Sequence, residues 1–190
     1  FYKLSNSLAA GDDLNATLQM LWNEINQLIP ADAFYVAIYD DKTDMVRYPI
    51  FFYMGTITTD HSDRILKDDP GLTGEVVYEK KTIYLPDMFS REVIDAFAPV
   101  DNNEYDLSTF LGVPLFSRER IIGMLSVQTQ KKDAYSPEQI RLVENIALQA
   151  ALAIDKAYLF DQLQHELGEK ENLIRKLENI NTELERFTYT

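Results

Sequence analysis

Ser108-Thr109-Phe110-Leu111-Gly112-Val113-Pro114-Leu115-Phe116 and Ile121-Ile122-Gly123-Met124-Leu125-Ser126-Val127-Gln128 flank the charged run Ser117-Arg118-Glu119-Arg120. Two apolar stretches around a short charged turn read as a β-hairpin. Moving toward the N-terminus, Thr82 to Leu85 is a short strand stopped by Pro86, and residues 87–107 are irregular apart from one helical turn around Arg91 to Phe97. Pro70-Gly71-Leu72-Thr73-Gly74-Glu75-Val76-Val77 opens a short helix, and the polar residues 55–70 before it read as loop.

Further back, Ala33 to Tyr39 and Met45 to Met54 are strands about the turn Asp40-Asp41-Lys42-Thr43-Asp44. Pro49 lies inside the second. Proline donates no ladder hydrogen bond, so that strand is an edge or carries a bulge. Residues 1–29 read as helix in two parts, the second capped by Asp12-Asp13 and closed by Pro30. Leu14, Leu18, Leu21, Trp22, Ile25, Leu28 and Ile29 recur there at helical spacing.

Beyond the hairpin, Ser136-Pro137-Glu138-Gln139 is a helix-start signal, and no proline follows Pro137. Ile140, Val143, Ile146, Ala147, Ala150, Ile154 and Ala157 continue at helical spacing into Leu159, Leu163 and Leu167. Leu173, Leu177, Ile180, Leu184 and Phe187 then step by four and three residues, which is a heptad seam. A helix of about 50 residues is about 75 Å long, too long for its own domain to cover. Leu163, Leu173, Leu177, Ile180, Leu184 and Phe187 are therefore expected to face a second chain in a parallel homodimer. Gly168 and Lys170 interrupt this stretch; the glycine is either tolerated at a cost of about 1 kcal/mol or marks a hinge between two registers.

The chain has 190 residues, 18 Lys and Arg against 31 Asp and Glu, a net charge of −13, and no cysteine. Such an acidic chain repels phosphate backbones and anionic headgroups, so no nucleic-acid partner is expected. Without cysteine there is no disulfide, thiolate metal site or thiol nucleophile. No apolar run approaches the ~18 residues of a membrane span. These features give a cytoplasmic expectation with no membrane contact. Both ends read as boundaries within a longer protein.

The order helix, two strands, short helix, strand, loop, hairpin, long helix is an α+β plan: an antiparallel sheet with helices mainly on one face, followed by a long coiled-coil output helix. Three segments, Gly71-Leu72-Thr73-Gly74-Glu75-Val76, Thr82-Ile83-Tyr84-Leu85-Pro86-Asp87, and Gly112-Val113-Pro114-Leu115 with Ile121-Ile122-Gly123-Met124-Leu125, resemble the GAF family in order and spacing. The resemblance covers residues 1–158, leaving 159–190 as a coiled-coil signalling helix. Asn181-Thr182-Glu183-Leu184-Glu185-Arg186-Phe187-Thr188-Tyr189-Thr190 resembles the start of the dimerisation helix of sensor histidine kinases. Together these resemblances imply a sensor domain that controls an ATP-dependent protein-histidine kinase, with a response regulator as the parent's partner. A ligand-free dimerisation spacer, or a sensor with a cyclase-type or transcription-activating output, is the alternative.

Strand parity separates two faces. Phe34, Val36 and Ile38 with Gly123, Leu125 and Val127 are assigned to the helical core; Tyr35, Ala37 and Tyr39 with Ile122, Met124, Ser126 and Gln128 face the other way. Apolar walls with a few polar groups suit a small-molecule pocket. Its candidate residues are Tyr35, Tyr39, Met124 and Ser126, joined from the loop side by Tyr84, Asp87, Met88 and Phe110. The ligand is unknown. By the resemblance, a covalent bilin and a methionine-sulfoxide reductase activity both need cysteine and are excluded. Haem needs an axial ligand, and the sensor domain offers only the loop residue His61. Gln130-Lys131-Lys132-Asp133-Ala134-Tyr135 with Glu138 matches the family's cyclic-nucleotide pattern poorly.

Gly71 and Gly74 lack the Lys-Ser or Lys-Thr of a phosphate loop. Asp12-Asp13, Asp40-Asp41 and Asp68-Asp69 lie in turns and caps without EF-hand spacing, so no metal is expected. No catalytic set assembles, and His165 lacks the sequence surroundings of a phosphoacceptor.

Overall fold

The computed structural model describes residues 8–57, 63–97 and 106–188. Helix α1 (Leu8–Leu28) leads into β1 (Ala33–Asp40) and β2 (Met45–Tyr53). Then follow the short strands β3 (Thr56–Ile57) and β4 (Arg64–Ile65), helix α2 (Gly71–Glu79), β5 (Ile83–Leu85) and helix α3 (Arg91–Phe97). The hairpin β6 (Thr109–Ser117) and β7 (Arg120–Thr129) precedes α4 (Pro137–Thr188). The sheet is antiparallel, ordered β3-β2-β1-β7-β6-β5, with β4 paired to β2. The architecture is the α+β plan read from the sequence.

The sheet separates two buried clusters. On one face α1 and α4 pack side by side, with Leu18, Trp22 and Ile25 of α1 and Val143, Ile146 and Ile154 of α4 against Phe34, Leu111, Leu115 and Leu125. Trp22 stacks on Phe52 at 4.9 Å, and Phe34 lies 5.6 Å from it. On the other face, α2, α3 and their loops cover Tyr35, Tyr39, Phe51, Phe110 and Met124. β1 keeps strict alternation throughout, with Phe34, Val36 and Ile38 toward the long helices and Tyr35, Ala37 and Tyr39 away from them.

Its neighbours do not. On β2 the pairing steps from Val36 opposite Ile50 to Ile38 opposite Arg47, so an extra residue is taken up beside Pro49. Parity inverts there: Val46 and Tyr48 lie on the α2 face, Ile50 and Phe52 on the α1 face. On β7 the slip falls at Gly123, opposite Leu115, before Phe116 pairs with Ile121. Ile122 therefore packs in the helical cluster rather than on the opposite face, correcting the uninterrupted alternation expected of this strand. Gly123 has φ +151°, and a Cβ built on it would stand 2.0 Å from the Ala37 carbonyl oxygen, so only glycine lets the two strands close.

Two other expectations need correction. α1 runs through Gly11-Asp12-Asp13 from Leu8 without a second cap. Burial of the stripe beginning at Leu14 and Leu18 outweighs the ~1 kcal/mol cost of one glycine. Residues 55–70, expected to be loop, contribute the two-residue strands β3 and β4 to the sheet edge. The start signal of α4 forms as a reciprocal cap: the Gln139 amide donates to Ser136 Oγ (3.3 Å) and the Ser136 amide to Gln139 Oε1 (2.9 Å). α4 then continues for 52 residues, straight through Gly168. Its last buried residues are Ala157 and Asp161.

Candidate functional site

The face of β1 turned away from the long helices brings Tyr35, Met124, Ser126, Phe110 and Met88 together, all buried. Tyr35 and Ser126 are direct partners across the β1–β7 ladder. The Tyr35 ring stacks on Phe51 (5.4 Å, 2° between planes) and meets Tyr48 edge-on at 5.7 Å. Its hydroxyl lies 3.2 Å from Thr73 Oγ1 on α2. Beside it the Gln128 amide donates to Ser126 Oγ at 3.1 Å. A row of polar groups thus crosses an aromatic and apolar floor and ties the sheet to α2. Burial, and secondarily Tyr48, pushes the Tyr35 hydroxyl up to about 12, so it stays protonated and acts only as a hydrogen-bonding group.

Arg64 of β4 closes one side. Its guanidinium sits 5.9 Å from the Tyr48 ring centroid, and Nη1 pairs with Asp69 at 2.6 Å. Its Nε is buried and makes no hydrogen bond. An oxygen acceptor on a small molecule is the chemistry that would satisfy it.

The eight residues expected to form one pocket divide. Tyr39 shares the face but stands at its other end. Its hydroxyl donates to Asp44 Oδ1 at 2.8 Å, and burial followed by that carboxylate raises its pKa above the usual tyrosine range. Tyr78 of α2 donates to the same oxygen at 3.0 Å, and the Lys67 amide to Oδ2 at 2.8 Å. Burial pushes the Asp44 carboxyl upward, but the hydrogen bonds from Tyr39, Lys67 and Tyr78 outweigh it and hold the group below its usual value.

Tyr84 lies on the opposite face, against the helical cluster, because Ile83 and Leu85 on either side of it face α2. Its hydroxyl donates to Asp133 Oδ1 (3.0 Å) and accepts the Tyr135 amide (3.3 Å). Asp87 is turned toward the loop after β7, pairing with Lys132 at 2.8 Å and accepting the Phe89 amide at 3.0 Å. Neither converges on Tyr35; period-2 alternation in the three-residue β5 was the signal that places Tyr84.

A separate opening lies elsewhere. A groove of about 690 Å³ lies where α4 leaves the domain, between Tyr39 and Tyr78, the turn at Arg118, and Tyr158 and Leu159 of α4. Ser117 Oγ donates to Asp155 Oδ1 beside it at 2.8 Å. Sequence reading missed it because its walls come from four separated segments.

On α4, Leu163, Leu173, Leu177, Ile180 and Leu184 are all more than half exposed. Phe187 lies in the last turn, outside the described side chains, and His61 is outside the described residues. His165 is exposed, 3.9 Å from Glu169. Among the described residues no three His, Asp or Glu side chains gather as a metal site, and no helix is long and apolar enough to cross a membrane.

The sequence matches the GAF domain family over residues 11–155. It is 22% identical over 190 residues to the formate hydrogenlyase transcriptional activator of Salmonella typhimurium, covering 95% of this chain and 27% of that protein. It is 31% identical over 112 residues to the anaerobic nitric oxide reductase transcription regulator NorR of Aeromonas hydrophila, covering 55% of this chain and 20% of the regulator. The chain thus spans about a quarter of the length of the curated relatives it matches. Among solved structures, the GAF domain of a two-component sensor histidine kinase from Bacillus halodurans superposes with a TM-score of 0.60 at 16% identity, covering 76% of this chain and 95% of that one.

Proposed function

The chain belongs to the GAF domain family, and from that premise we propose that it is the cytoplasmic regulatory module of a sensor histidine kinase, driving the kinase through a parallel dimeric stalk. The observation that carries this is α4. Its apolar residues from Leu163 to Leu184 face solvent along an unbroken helix that its own domain does not cover. An isolated helix with such a stripe gains its stability by pairing. The resemblance of Asn181 to Thr190 to the start of a kinase dimerisation helix supports the kinase output. A small molecule held over Tyr35, Met124 and Ser126, with an oxygen acceptor at Arg64, is the signal in this reading. It acts to the extent that it binds the two stalk arrangements unequally.

Two observations favour other readings. The curated relatives are transcriptional activators aligned over most of this chain, which supports a transcription-activating output in place of a kinase. The aromatic face is already filled by Tyr35, Phe110 and Met124, which supports a ligand-free spacer. Native mass spectrometry of the purified chain, with the sequence that follows Thr190, separates the three. A bound small molecule and a downstream histidine phosphoacceptor are expected. A monomer in sedimentation at high micromolar concentration would defeat the stalk mechanism in all of them.

A further inference from the structure

The exposed stripe on α4 does not stop where the helix leaves the sensor domain. With Leu177 and Leu184 as a positions and Leu173 and Ile180 as d positions, Leu163 falls at a, and Leu159 and Leu152 at d. Leu152 is 71% exposed and Leu159 55%, like the stalk leucines beyond them. The frame therefore keeps one phase for about 48 Å along a helix with no break, its apolar d positions interrupted once, by Glu166. Beside Leu152 a groove of about 220 Å³ opens between α4 and α1, bounded by Leu14, Thr17, Ala153 and Lys156.

Two a positions of this seam hold lysine, Lys156 and Lys170. Each is preceded at g by an acid, Asp155 and Glu169. In a parallel pair in register, the g residue of one helix flanks the a residue of the other. Both lysines then meet a carboxylate of the second copy. A slip of one heptad sets Lys170 beside Gln162 or Lys176 of the second copy instead, stranding its charge.

Resting on the stalk-dimer reading above, we propose that the occupant of this stripe is a second copy of the chain, parallel and in register. The seam reaches into the sensor domain as far as Leu152, and the Asp155–Lys156 and Glu169–Lys170 layers select the partner and its register.

The chain has no cysteine, so single cysteines report directly. In the full chain, Leu184→Cys and Leu152→Cys are each expected to give a disulfide-linked dimer on mild oxidation. Cross-linking at 184 without cross-linking at 152 leaves the stalk dimer standing and overturns its extension into the sensor domain; failure at both overturns the stalk dimer as well. Glu169→Lys is expected to weaken the dimer by at least about tenfold, as two like charges are brought together. Adding Lys170→Glu restores homodimers that mix poorly with the unsubstituted chain. Unchanged affinity of Glu169→Lys, or free mixing of the double variant, overturns the selective role of the lysine layers.

Discussion

One carboxylate, Asp44, joins the β1–β2 turn to α2 through Tyr78, to β1 through Tyr39 and to the chain after β4 through the Lys67 amide. It also has φ +56°, a conformation that asparagine tolerates and alanine does not. Asp44→Asn is expected to lower stability by about 1–2 kcal/mol at neutral pH, since hydrogen bonds to a charged acceptor weaken. The folded-state pKa of Asp44 is depressed. Its contribution is therefore complete above the unfolded value near 4 and declines as pH falls through the folded one. The gap between parent and variant should narrow in acid, as urea midpoints at pH 7 and pH 3 would show. Gly123→Ala drives a methyl group into the Ala37 carbonyl; a loss of about 3 kcal/mol or more, or failure to fold, is expected in chemical denaturation. That Tyr35 and Ser126 share a face was legible from parity; that they are direct partners was not. Tyr84 was put on the wrong face although its alternation with Ile83 and Leu85 carried the signal, and Asp87 was not placed because a loop aspartate reveals its partner only in the fold.

The elements themselves were largely readable where local chemistry and long-range packing agree. Ser136-Pro137-Glu138-Gln139 announces α4, and its reciprocal hydrogen bonds form as the residue types require. Ser136→Ala should cost about 1 kcal/mol, measured as a drop in urea midpoint. Pro49 announced the slip in β2 because proline has a specific backbone defect. Gly123 gave no comparable warning, since glycine also occurs in plain strands, and Ile122 was placed on the wrong face. β3 and β4 are two residues each, too short for any periodicity. The expected break near Gly11 failed because a single glycine is a weak opponent of a well-packed stripe.

At the scale of the whole chain, the sensor and the stalk share one helix. Residues from Gln162 to Leu184 lie outside any core, so a chain ended after Gln164 should keep the urea midpoint of the sensor fold while weakening the proposed dimer, which then rests on Leu152, Lys156, Leu159 and Leu163 alone. Sedimentation beside a denaturation curve checks both. The sheet edge is fastened to α4 by Thr82 on Glu144 (2.7 Å) and Ser117 on Asp155 (2.8 Å), about 16 Å apart along the axis. A rod pinned to a plate at two such points resists swinging or sliding against it. On the dimeric stalk reading proposed above, plate and rod would turn together, and a signal at the aromatic face would reach the far end as a change in the angle between two rods, a scissoring, and not as a piston stroke.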